Sequence, residues 1–179
     1  MAISFSDDVF MREIQIDSCK NSLKIVQKLV GDVSCVVWDA AIVLANFLEV
    51  ENERCGKKWI PAKKILELGA GLGCVGLFAA CLGGEVIMTD LPEVMPLLQM
   101  NIDGNKALWT EQRGGAIAKV LKWGPMVGDL DIPSILLVAD CVYYDQAKEI
   151  MVIMDIFGLK IMMALMFYVA PNLKKGESC

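Results

Sequence analysis

The N-terminal part of the chain alternates apolar and polar side chains in two short stretches. FMREIQI (10–16) and SLKIVQK (22–28) both show this alternation, and the polar DSCKN lies between them. A period of two is typical of a strand with one buried face, and a short polar linker commonly joins antiparallel neighbours. We therefore expect an N-terminal β-hairpin.

Beyond residue 35 the pattern changes to short apolar runs that alternate with segments of helical spacing. VWDAAIVLANFLE (37–49) predicts the first helix. Strands are then predicted over 63–69, 85–90, 116–123, 134–140 and 160–170, and helices over 73–83, 91–105 and 147–158. Because the strands are apolar throughout, these repeated units predict a parallel sheet covered on both faces. The expected fold class is α/β and Rossmann-like, and 179 residues suit a single domain.

Composition excludes several classes of function. The chain has no histidine, which rules out most catalytic triads, and its excess of 22 acidic over 17 basic residues predicts no nucleic-acid partner. Seven cysteines without a Cys-x-x-Cys pair, and no N-terminal signal pattern, predict a cytoplasmic protein without a structural metal. Asp155 and Lys160 interrupt the apolar run over 150–170, so we expect no membrane span.

The stretch ILELGAGLGCVGL (65–77) places four glycines between a predicted strand and a predicted helix. Such a loop lets backbone amides approach a ligand at the helix N-terminus, although a tight turn that binds nothing would have the same pattern. Asp90 ends the next predicted strand, where a carboxylate can accept hydrogen bonds from ribose hydroxyls. Loop and acid together favour a nucleoside ligand.

Two nucleoside ligands fit the glycine spacing. Residues 71–76 match G-x-G-x-x-G, and Tyr144 and Lys148 have the spacing of short-chain dehydrogenases, so an NAD-dependent reductase is one alternative. Glu67 argues against it, because a carboxylate beside the loop would repel a pyrophosphate. S-adenosylmethionine carries a sulfonium and an ammonium group instead, and both are attracted to a carboxylate. We therefore predict S-adenosylmethionine as the cofactor, bound in part by Glu67.

The loop from Glu67 to Gly73 resembles motif I of the class I (seven-strand) S-adenosylmethionine-dependent methyltransferases. CVVWDAAIVL (35–44), KVLKWG (119–124) and ADCVYY (139–144) are similar to the Asp-x-x-Tyr group of protein-lysine methyltransferases. Within that group they most resemble the enzymes that methylate the chaperone ATPase called valosin-containing protein. The resemblance covers about residues 10–146 and implies methylation of a lysine of that protein partner.

The resemblance also implies roles for individual residues. By this resemblance, Trp38 helps to enclose the cofactor and Trp123 lies beside its adenine. Gly69, Ala70 and Gly71 form the loop around its methionine part. Asp90 binds its ribose, and Ala139 supplies a backbone contact just before the catalytic motif. Asp140 and Tyr143 match the ends of Asp-x-x-Tyr and are the expected catalytic residues. Read without the family, Trp38 and Trp123 could be core aromatics, and Asp140 could be a helix N-cap.

The resemblance fades after about residue 146. FYVA (167–170) stands where the family has a Tyr-Glu-x-Arg type sequence, and we expect a seven-strand fold that lacks its last strands. The expected division is a hairpin extension over 1–34, a cofactor-binding core over 35–146 and a divergent end over 147–179. A strand over 161–170 would then be an unprotected edge, which favours aggregation and low turnover. A cofactor- or partner-binding protein without catalytic activity therefore stays an alternative.

Overall fold

A computed structural model describes residues 9–28, 33–125, 128–140 and 147–157 of the chain. Its first two strands, β1 (Val9–Ile16) and β2 (Asn21–Lys28), pair antiparallel along their whole length. Ile14 and Ile16 of β1 are buried in the core, as are Leu23 and Ile25 of β2. The alternating pattern thus correctly predicted a hairpin with one face against the rest of the protein.

The remaining elements alternate between helix and strand. In chain order they are α1 (Asp39–Arg54), β3 (Lys64–Leu68), α2 (Cys74–Cys81), β4 (Glu85–Asp90), α3 (Met95–Gly104), α4 (Lys106–Glu111), β5 (Gly115–Val120), β6 (Ile135–Val138) and α5 (Ala147–Phe157). The four strands β3 to β6 form one parallel sheet in the order β5-β4-β3-β6. The predicted α/β, Rossmann-like fold is confirmed.

Strands β3 and β6 are buried on both faces of the sheet, which explains their apolar runs. In β3 and β6, Ile65 and Leu137 belong to the core on the side of α1 and α2, together with the hairpin residues. Their neighbours Leu66 and Leu136 belong to a second cluster on the side of α5. Since successive side chains of a strand point to opposite faces, a strand between two helical layers is mainly apolar, and Glu67 is the buried exception in β3.

The helices differ from the prediction in three places. Helix α1 continues to Arg54, beyond the predicted end at residue 49. The expected helix over 91–105 begins only at Met95, because residues 92–94 form a turn in which the Val94 N–H donates to the Leu91 carbonyl. Both Pro92 and Pro96 suit a first helical turn, and the pattern alone could not choose between them. The short helix α4 was not predicted.

Residues 160–170, expected to form a strand, and Tyr143 lie outside the described part of the chain. Of the helices in the described ranges, none combines the length and the apolar character needed to cross a bilayer.

Candidate active site

A cavity of about 520 Å³ opens where the carboxyl ends of the four parallel strands meet. The chain proceeds outward from β3 through β4 to β5 and then returns to the other side of β3 as β6. In open α/β sheets, ligands bind at this reversal of strand order. All of the predicted site residues that the structure describes line the cavity: Trp38, Glu67, Gly69, Ala70, Gly71, Asp90, Trp123, Ala139 and Asp140.

The glycine loop follows β3 and is attached to the end of β4. Gly69 and Gly71 have φ angles of 63° and 54°, in the left-handed region that glycine adopts without strain. The Gly71 N–H donates to Oδ2 of Asp90 at 2.7 Å, and the Ala70 N–H donates to the Thr89 carbonyl at 3.0 Å. These bonds fix the loop beside the carboxylate that the sequence predicts to bind ribose.

Asp90 keeps acceptor capacity for a ligand. Its Oδ2 accepts from Gly71 and its Oδ1 accepts from the Leu91 N–H at 2.7 Å. Since a carboxylate has about four acceptor positions, two remain for hydroxyl groups in the cavity. Partial burial raises the pKa of Asp90, and the two backbone N–H groups oppose this rise.

Glu67 lies beneath the loop and caps helix α2 from a neighbouring strand. The N-cap residue Gly73 has no side chain to accept a hydrogen bond, and Oε2 of Glu67 accepts from the Gly76 N–H in the first turn at 3.0 Å. A Cβ at position 76 would collide with this oxygen and with Met88. The carboxylate therefore requires a glycine in the helix above it.

The surroundings of Glu67 oppose the ionised form that the sequence analysis expected for this side chain. Its side chain is only 2% exposed. This burial, with a smaller contribution from Asp90, raises the pKa of Glu67 to about 8, although the bond from Gly76 opposes the rise. In the absence of a ligand the group is therefore mostly protonated at neutral pH. A cation in the cavity would favour its ionised form.

The aromatic walls of the cavity come from two separate segments. Trp38 ends the segment that precedes α1 and is 40% exposed, so it is not a core aromatic. Trp123 follows β5 and packs partly against the cluster beneath α5. Both tryptophans thus line the cavity. That Trp38 helps to enclose the cofactor and that Trp123 lies beside its adenine stay predictions.

Asp140 follows β6 with a φ of 50°, a left-handed conformation that few residues other than glycine, asparagine and aspartate adopt readily. The next described helix, α5, begins at Ala147, so Asp140 is not its N-cap. The structure places Asp140 at the cavity, and its catalytic role stays a prediction.

Sequence reasoning missed three charged residues of the cavity lining. They are Glu93 after β4, Lys122 after β5 and Glu149 in α5, and none of them belongs to a local sequence motif. Among the described lining residues, acidic side chains outnumber basic ones by five to one: the acids are Glu67, Glu93, Asp90, Asp140 and Glu149, and the base is Lys122. Such a lining favours a cationic ligand.

The described fold is similar to that of a solved methyltransferase. The 16S rRNA methyltransferase RsmC of T. thermophilus, in complex with AdoMet and guanosine, aligns with a TM-score of 0.55 at 20% sequence identity, covering 78% of this chain and 35% of that one. Together with the strand order and the site at the strand ends, this similarity defines a class I methyltransferase fold.

Sequence comparisons identify the family within this class. A family profile described as lysine methyltransferase matches residues 18–165. Mouse EEF1A lysine methyltransferase 3 is 35% identical in an alignment of length 156 that covers 78% of this chain and 62% of that protein. Xenopus tropicalis METTL21A, a protein N-lysine methyltransferase, is 35% identical over 114 residues, or 64% of this chain and 50% of that protein. The chain belongs to the lysine methyltransferase family. This membership argues against the alternative of an NAD-dependent reductase.

The chain spans about half the length of the curated relatives that it matches. Bos taurus protein-lysine methyltransferase METTL21E, for example, is 35% identical in an alignment of length 127 that covers 67% of this chain and 42% of that protein. The names of these relatives do not address the valosin-containing protein, so that substrate stays a prediction.

Proposed function

We propose that this protein is an S-adenosylmethionine-dependent protein-lysine N-methyltransferase. The observation that carries the proposal is the cavity at the reversal of strand order, where the predicted residues meet. It joins the glycine loop after β3, the acid at the end of β4, the tryptophan after β5 and the aspartate after β6. Membership in the lysine methyltransferase family supports the same function.

The residues of the cavity fit the cofactor. Gly69 and Gly71 leave room for close backbone approach, and Asp90 has free acceptor positions for the ribose hydroxyls. Glu67 lies where a cationic methionine part would favour its ionised form. When bound, S-adenosylmethionine supplies a methyl group activated by a sulfonium.

The substrate side of the proposal rests on Asp140 and Tyr143. A free lysine has a pKa near 10.4 and must lose its proton before it can attack, so the site must hold the amine and favour its neutral form. In this proposal, Asp140 positions the incoming amine and Tyr143 shapes an aromatic pocket around it. In-line alignment of the amine then supplies much of the rate.

The cofactor is tested by calorimetry with S-adenosylhomocysteine and with NADH. We expect S-adenosylhomocysteine to bind and Asp90→Ala to weaken its binding at least tenfold, because the ribose loses a charge-assisted acceptor. Glu111→Gln, which changes an exposed acid outside the cavity, is the matched control. Heat from NADH alone would refute the proposed function.

Two partners follow from the resemblance and from the relatives. The valosin-containing ATPase is the predicted substrate, and EEF1A is the second candidate because mouse EEF1A lysine methyltransferase 3 is similar to this chain. Each protein is incubated separately with the chain and S-adenosylmethionine, and its lysines are analysed by mass spectrometry. Methylation of a lysine in either protein, lost in Asp140→Asn, supports the proposal and identifies the substrate. Methyl groups on arginine or on a small molecule would contradict it.

A cytoplasmic location, where both partners could be met, is part of this proposal.

A further inference from the structure

The N-terminal hairpin holds the backbone of the cavity wall next to Trp38. The Val37 N–H donates to Oε1 of Gln27 at 2.7 Å, and the Val37 carbonyl accepts from Nη1 of Arg12 at 3.2 Å. Gln27 is 2% exposed, so its bond to Val37 is shielded from water. Both backbone polar groups of Val37, the residue before Trp38, are thus bound by side chains of the hairpin, one from each strand.

The same hairpin is connected to the glycine loop through helix α3. Asn101 accepts from the Val26 N–H at 2.8 Å and donates to the Val26 carbonyl at 3.2 Å, as a neighbouring strand would. Its Nδ2 also donates to the carbonyl of Leu72 in the loop at 3.1 Å. Asn101 therefore links the edge of the hairpin to the loop on the other side of the cavity.

One turn further along α3, Asn105 contacts the hairpin without touching the cavity. It accepts from the Lys24 N–H at 2.9 Å and donates to the Lys24 carbonyl at 3.0 Å, and its Nδ2 reaches the Asn101 carbonyl at 2.8 Å. The two asparagines thus make the same two-point contact with β2, and each makes a third bond. Only the third bond of Asn101 reaches a residue that lines the cavity.

We propose that the hairpin is a positioning element for the cofactor, with Gln27 acting on Trp38 through Val37 and Asn101 acting on the glycine loop through Leu72. The glycine loop lies next to the segment that leads to Trp38, since a Cβ on Gly71 would be 3.7 Å from the Ser34 carbonyl oxygen. Small shifts of the loop or of that segment change the width of the gap between them. The inference rests on the proposed function, because it assumes that the cavity binds S-adenosylmethionine.

The first test compares the affinity of S-adenosylhomocysteine for matched variants of the full chain. Gln27→Met keeps the bulk of the side chain and removes the acceptor, and we expect it to raise Kd about fivefold, the factor for one net hydrogen bond. Asn101→Leu should weaken binding by a similar factor. Asn105→Leu removes as many bonds as Asn101→Leu and should change Kd by less than about twofold, because it does not contact the loop.

A double-mutant cycle separates positioning from a general loss of stability. In a Trp38→Ala background, Gln27→Met should change Kd by less than about twofold, because the side chain that it positions is absent. Rapid hydrogen exchange of the Val37 amide in Gln27→Met, at unchanged global stability, would support the same conclusion.

Three results decide the inference. Equal weakening by Asn105→Leu and Asn101→Leu would overturn the role of the Leu72 contact. An undiminished effect of Gln27→Met in the Trp38→Ala background would overturn the role of Trp38. If the wild-type chain does not bind S-adenosylhomocysteine at all, the proposed function fails and the inference falls with it.

Discussion

The buried carboxyl of Glu67 should make the stability of this protein fall as the pH rises. In the unfolded chain this group loses its proton near pH 4.5, whereas in the folded protein its pKa is about 8. Between these values the unfolded state binds fewer protons than the folded state, so the free energy of unfolding decreases with increasing pH. The stabilising effect is complete below pH 4.5 and is lost as the pH passes 8.

Replacement of Glu67 by glutamine should remove this dependence. The amide oxygen of glutamine can still accept the hydrogen bond from Gly76, and the side chain stays neutral at every pH. The difference between the two pKa values corresponds to at most about 5 kcal/mol. Between pH 5.5 and 8.5 the wild type should lose about 3 kcal/mol of stability that Glu67→Gln retains.

Urea unfolding at pH 5.5, 7 and 8.5, followed by circular dichroism, measures this difference. The quantity of interest is the free energy of unfolding of Glu67→Gln minus that of the wild type, in which the other titrating groups cancel. Glu111→Gln is the control, because its side chain is exposed at the end of α4 and its stability should parallel the wild type.

Parallel pH profiles of the wild type and Glu67→Gln would refute the reasoning. They would mean that Glu67 is ionised in the folded protein and that water or a partner stabilises its charge. Lower stability of Glu67→Gln at every pH would show instead that the charge itself caps helix α2.

The same site gives three further predictions. A cationic cofactor should lower the pKa of Glu67, so S-adenosylmethionine should release a proton at pH 7, seen as a buffer-dependent binding enthalpy that disappears in Glu67→Gln. Asp140→Ala should be about 1 kcal/mol less stable than Asp140→Asn, because alanine tolerates a φ of 50° poorly. Both variants should lose methyl transfer and retain cofactor affinity. Equal melting temperatures of the two variants would contradict the stability prediction. Gly76→Ala should cost about 1–3 kcal/mol by collision with Glu67, whereas Gly104→Ala, which meets open space in α3, should be neutral or stabilising by up to about 1 kcal/mol in the same urea assay.

The sequence determined the order of the elements, apart from the short helix α4, and nine of the residues that line the cavity. A period of two predicted the hairpin, and continuous apolar runs predicted the strands between two helical layers, because burial on one or both faces leaves a local trace in the pattern. The glycine loop and Asp90 were recognisable for a similar reason. They lie at strand ends, and the carboxyl ends of parallel strands share one edge of the sheet.

Only the tertiary structure decided the environment of these residues. The burial of Glu67 depends on helix α2 lying over β3, and the resulting pKa cannot be read from a carboxylate next to glycines. Glu149 lines the cavity because α5 packs beside β6, far along the chain from the loop. The contacts of Asn101 and Gln27 likewise join segments that are distant in sequence. Hydrogen bonds between such segments leave no periodic signal, so their partners are known only once the chain has folded.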